Sequence, residues 1–133
     1  MKYLSHYVEA KQTLLFERTG AFFAFSKSQL EDGSKGRPKA DFVSLGGGLL
    51  APKENVKDLV NGLSEINSEG IAADIAENGK PAIIQRELGN YETQLSGDMS
   101  ETVEALVDYD ISEADIKKEY PAFYQNCLDN DYF

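Results

Sequence analysis

The feature that most constrains this chain is a change of hydrophobic period near its middle. Val56, Leu59, Val60, Leu63 and Ile66 fall at offsets of 3, 4, 7 and 10, the one-sided spacing of an amphipathic helix. Upstream, Ala21-Phe22-Phe23-Ala24-Phe25 is too short for a helix, is aromatic, and is bounded by Gly20 and Ser26, which is the signature of a buried strand. A chain carrying both must pack helices against a sheet. A second strand reads at Phe42-Val43-Ser44-Leu45. Gly46-Gly47-Gly48 breaks or bulges it before Leu49-Leu50-Ala51, and Tyr91 to Leu95 alternates like an edge strand.

Helices account for most of the remainder. Lys2 to Arg18 keeps Tyr3, Leu4, Tyr7, Val8, Lys11, Leu14 and Leu15 on one face. Ser26 or Ser28 can cap a short turn ending near Gly33. Pro52 suits the first turn of the central helix. A separate short helix is expected over 68–77 with Ile71, Ala72, Ile75 and Ala76 inward, stopped by Asn78-Gly79. Pro81 then opens a helix with Ile83, Ile84 and Leu88 as its apolar residues. Asp98 and Glu101 resemble a capping box, and Ser112 caps a last helix, with Ile111 and Ile116 as its hydrophobic staple. Pro121 should kink or restart that helix, since it lacks an amide hydrogen and crowds the carbonyl of Lys117.

The expected fold class is therefore α+β: a helix-rich single domain over residues 1–133, with a small sheet of two to four strands covered by helices and a weakly ordered tail from about 121 to 133. Phe23, Phe25, Leu45, Leu59, Leu63, Ile84, Val103 and Leu106 are the expected core.

Charge divides the chain. The net charge is −10. Residues 1–86 hold 11 acidic and 11 basic side chains, whereas residues 87–133 hold 12 acidic and only two basic, Lys117 and Lys118. Such a segment repels phosphate backbones and anionic membranes, which excludes direct nucleic-acid or membrane binding by it. The helix-turn-helix outline of residues 99–120 lacks the positive charge a recognition helix needs. Asp98, Glu101, Glu104, Asp108, Asp110, Glu113 and Asp115 read first as a solvated acidic face and otherwise as a binding face for a partner protein of basic character. Asp108-Tyr109-Asp110 is no EF-hand loop, because Glu113 stands where that loop requires glycine.

Gly46, Gly47 and Gly48 form the one candidate ligand loop. They match neither phosphate-binding glycine fingerprint, and a bulge or tight turn is the better reading of them. His6 and Cys127 are the only histidine and cysteine, too few for a zinc site and far apart in sequence. Cys127 lies in an acidic surrounding that raises a thiol pKa. No catalytic residues, metal or cofactor are expected. One cysteine permits no internal disulfide, and no apolar run approaches a membrane span or signal sequence, so the expected compartment is the cytoplasm.

Several stretches resemble a family of small uncharacterised proteins from tailed phages and gut-bacterial genomes. They are Gly20 to Ser26 with Gln29, Ser44 to Gly48 with Pro52-Lys53-Glu54-Asn55, Ile84 to Leu88 with Asn90 and Glu92, and Gly97-Asp98. The resemblance implies a phage or mobile-element origin and assigns no functional residue. The leading reading is a small non-enzymatic accessory or regulatory protein acting through protein–protein contacts. The alternatives are an acidic nucleic-acid mimic that inhibits a host DNA- or RNA-binding protein, and a small enzyme or ligand-binding protein using Gly46 to Gly48.

Overall fold

The computed structural model describes residues 1–133 and shows a helix-rich α+β protein with seven α-helices and one three-stranded antiparallel sheet. Its chain packs as two compact units, one of Leu4–Gly70 and one of Met1–Tyr3 with Ile71–Phe133.

In the first unit, α1 (Leu4–Thr19) ends where Gly20 takes a positive φ of 76°. The strands β1 (Phe22–Phe23), β2 (Phe42–Ser44) and β3 (Leu49–Pro52) lie in the order β1-β3-β2. Phe22 pairs with Leu50 and Val43 with Ala51, so β3 is central and buries Leu49, Ala51 and Pro52. Between β1 and β2, Ser26 caps α2 (Lys27–Ser34) by accepting from the Gln29 amide, as its type and position suggest. Leu15, Leu49, Ala51 and Leu59 form the core, with Phe16, Leu45, Val56, Leu63 and Ile66 packed partly buried around them.

Helix α3 (Val56–Asn78) is continuous. The separate helix expected over 68–77 is the last part of α3, and Gly70 within it serves close packing. A Cβ there would stand 2.4 Å from Val8 Cγ1, and one at Gly62 would stand 2.8 Å from the Leu15 methyls. These two glycines let α1 lie tight against α3.

In the second unit, α4 (Lys80–Asn90) starts at Pro81, as its fixed φ favours, and packs against α6 (Ser100–Ala105) and α7 (Glu113–Asn130). Its Ile83, Ile84 and Leu88 are buried, as are Leu106, Ile111, Ile116, Phe123 and Cys127 of the same unit. Tyr91 to Leu95 is not a strand. Glu92 takes a left-handed φ of 50° and Thr93 begins the short helix α5 (Thr93–Ser96), so the backbone is not extended. Helix α7 neither stops nor restarts at Pro121. Its C-terminus is instead closed at Asp131, whose amide donates to Cys127 and Leu128 carbonyls.

Two other expectations fail for one reason. Phe23 is 49% exposed and Phe25 74% exposed. β1 is an edge strand only two residues long, and these rings stack on each other with centroids 6.2 Å apart, Phe23 also meeting the Phe16 ring edge to face. Leu14 and Val60 likewise lie outside the helix stripes that the core uses, and Leu45, Leu63 and Val103 are half-buried. Four non-glycine residues occupy the left-handed region: Lys35, Glu92, Asp110 and Asp131.

Candidate functional site

The seven acidic residues of the candidate face all lie on the surface of the second unit. Asp98 precedes α6 and accepts from the Ser100 amide at 2.9 Å and from the Ser100 hydroxyl. Those hydrogen bonds hold its carboxyl below the usual carboxylate range. The expected box with Glu101 does not close; Ser100 takes its place. Asp115 makes a true capping box with Ser112, with backbone–side chain distances of 3.0 and 3.1 Å, and these bonds lower its pKa. Glu113 lies 3.4 Å from Lys117 one turn on. Glu101 and Glu104 project from α6, Asp108 lies in the 3-10 turn Val107–Tyr109, and Asp110 closes that turn with a left-handed φ of 56°.

Asp98, Glu104 and Glu113 converge on one groove of about 540 Å³, floored by Met99, Val103 and the exposed Val107. Glu101, Asp108, Asp110 and Asp115 do not line it. Asp115 borders a second cleft with Lys80 and Lys118, whose charges favour its ionised form. The groove therefore offers carboxylates around an apolar floor, a surface suited to an apolar side chain flanked by Lys or Arg.

Gly46, Gly47 and Gly48 form the hairpin between β2 and β3, with φ of 90°, 59° and 83° and the bond Leu49 N–H to Gly46 O at 3.0 Å. L-residues rarely accept those angles. At Gly48 the constraint is also steric, since a Cβ would stand 2.4 Å from the Phe25 ring. His6 is exposed on α1. Cys127 is buried, and burial raises its thiol pKa.

The most constrained polar cluster was not among the expected site residues. Asp74, fully buried on α3, accepts from Arg86 Nη1 at 2.9 Å, Asn78 Nδ2 at 2.8 Å and the Tyr109 hydroxyl at 2.6 Å. Arg86 also donates through Nε to Glu87 at 2.8 Å and through Nη1 to the Lys2 carbonyl at 2.9 Å, and its guanidinium lies over the Tyr3 ring. Burial alone would raise the Asp74 pKa, but the donors from Arg86, Tyr109 and Asn78 outweigh it and hold the carboxyl below the usual range. The Tyr109 phenol is pushed well up by burial and by its bond to Asp74. Every carboxylate oxygen of Asp74 is satisfied, so the cluster reads as an internal tie. One signal for it was present: Asp74 stands three residues after Ile71 and four before Asn78, a charged residue on the inward stripe. Ala72 and Ala76, expected inward, are exposed.

The fold is thus that of a helix-dominated α+β protein with an acidic surface groove and no group of His, Cys, Asp or Glu side chains placed to hold a metal ion. The chain belongs to the family of unknown function DUF7659, whose model matches residues 4–126. No curated protein and no solved structure matches it. None of its helices is long and apolar enough to cross a membrane.

Proposed function

We propose that this protein is a small accessory or regulatory factor, of phage or mobile-element origin, that acts in the cytoplasm by binding another protein through its acidic last third. The observation that carries the reading is the groove in which Asp98, Glu104 and Glu113 surround Met99, Val103 and Val107. Exposed apolar side chains ringed by one sign of charge favour a partner segment of opposite charge with an apolar anchor. The origin rests on the resemblance of Gly20 to Ser26, Ser44 to Gly48 and Ile84 to Leu88 to phage-borne proteins. The non-enzymatic reading is supported by the buried Cys127, whose thiol pKa burial raises, away from the thiolate a nucleophile needs.

The test compares wild type with Glu104→Lys/Glu113→Lys and with Val107→Asp in pull-downs from bacterial lysate at low and moderate salt. Capture should weaken with salt and be lost in both variants. Capture indifferent to salt and to both variants would sink the proposal. Recovery of a nucleic-acid-binding protein that added DNA displaces would instead favour charge mimicry.

A further inference from the structure

A cavity of about 410 Å³ is built from the first unit alone. Its walls are the rings of Phe16, Phe22 and Phe42 with Pro52, and its polar lining includes Lys35 and Arg37. That composition, an aromatic body with a few placed charges, is the ordinary make-up of a small-ligand pocket, and the volume lies in the same range.

Local sequence explains how the cavity arises. Phe22 and Phe42 come from the two edge strands and meet edge to face, with centroids 5.5 Å apart. The Phe22 ring can lie where it does only because Gly33 has no side chain, for a Cβ there would stand 2.1 Å from the ring. Helix α2 then ends, Lys35 takes a left-handed φ of 52° and Gly36 one of 82°, and this reversal sets Lys35 and Arg37 in the lining.

The two cations differ in what they have left to give. Arg37 is held by Asp41 at 3.3 Å and Glu54 at 3.0 Å and lies over the Phe42 ring. Lys35 enters none of these ion pairs. Lys35 is thus the lining cation whose charge is left for a ligand. Glu17 is the one carboxylate in the lining, so a ligand with several negative charges is disfavoured.

We propose that this cavity binds a small monocarboxylate with an aromatic or branched apolar body, the body among Phe16, Phe22 and Phe42 and the carboxylate on Lys35. The site is separate from the acidic groove and does not depend on the function assigned to that groove.

The experiment titrates the ¹⁵N-labelled full chain with 2-naphthoate and with neutral 2-naphthamide, following amide resonances. Saturable shifts are expected at Ala21, Gly33 and Lys35 with naphthoate, and much weaker binding of the amide. Lys35→Asn, a residue that tolerates the left-handed backbone, should weaken naphthoate about ten-fold, the loss of one charge-assisted contact. Thr13→Phe, placed at an exposed position of the lining, should abolish binding while leaving the spectrum otherwise dispersed. Equal affinity for the amide, or an unchanged affinity in Lys35→Asn, would overturn the carboxylate assignment. No saturable shift at millimolar naphthoate, or shifts confined to residues outside this lining, would overturn the site.

Discussion

Replacing Arg86 by Met isolates the tie that the second unit is built around. The guanidinium supplies Asp74 with a 2.9 Å ion pair and Glu87 with another at 2.8 Å, and its side chain is almost wholly buried. Methionine fills a similar volume with no donor. Asp74 would keep Asn78 and Tyr109 but lose its only countercharge while remaining inaccessible to water. Breaking a buried pair from one side costs about 3–5 kcal/mol, because the stranded charge is not rehydrated. If stranding is the cause, neutralising Asp74 as well must recover part of the loss. The double variant Arg86→Met/Asp74→Asn should then be more stable than additivity predicts, by at least about 1 kcal/mol. The pH dependence gives a second, independent sign. In the wild type the Asp74 pKa is lowered, so its contribution is present above the unfolded-state value and lost as pH falls through the folded one. In Arg86→Met, burial prevails and the folded pKa rises above the unfolded value. The variant's penalty is then full at neutral pH and relieved as pH falls, so the gap to wild type narrows between pH 7 and pH 4. Urea unfolding followed by far-ultraviolet circular dichroism reads both effects, since the chain has no tryptophan but is 71% helical. A loss below about 1 kcal/mol, or a gap that is constant with pH, would refute the reasoning.

Two further outcomes follow from packing. Leu59→Ala should cost about 2–5 kcal/mol, since Leu59 is wholly buried in the first unit's core, whereas Leu63→Ala, half-buried, should cost less than about 2 kcal/mol; equal losses by chemical unfolding would contradict the burial pattern. Gly70→Ala forces a Cβ onto the stiff, β-branched Val8, and overpacking of about 1–3 kcal/mol should exceed the helix-propensity gain of about 1 kcal/mol, while Gly62→Ala meets only the methyl tips of Leu15 and should melt within a few degrees of wild type. A Gly70→Ala protein that melts higher than wild type would show that α1 can yield.

Local rules located most elements. The 3.6 period of Val56 to Ile66, the caps at Ser26 and Ser112 and the helix opened by Pro81 all depend on near neighbours, and the structure keeps them, with Ile111 and Ile116 both buried. The errors share a different origin. Residues 68–77 read as a helix of their own, yet they continue α3, and within them the small size of Gly70 serves the distant α1. Tyr91 to Leu95 alternates like a strand but has no strand to pair with. Phe23 and Phe25 are apolar enough for a core, but the sheet ends at β1 and leaves them outside. The Asp74–Arg86–Tyr109 tie spans 35 residues of sequence, and no spacing rule links its members. Of the acidic face, the surface position was legible from charge. That only Asp98, Glu104 and Glu113 share a groove depends on how α6 leads into α7.

The left-handed residues at four element ends bear on how this chain can change. At Lys35, Glu92, Asp110 and Asp131 a side chain occupies a backbone that glycine adopts with less strain, by about 1 kcal/mol each. Each is therefore a reserve: a single substitution to glycine there would offset a destabilising change elsewhere. Three of the four keep a negative charge on the surface, and the fourth keeps the one free cation of the aromatic cavity. Substitution at these positions would trade charge for robustness, and at Lys35 it would do so where the proposed ligand needs the charge.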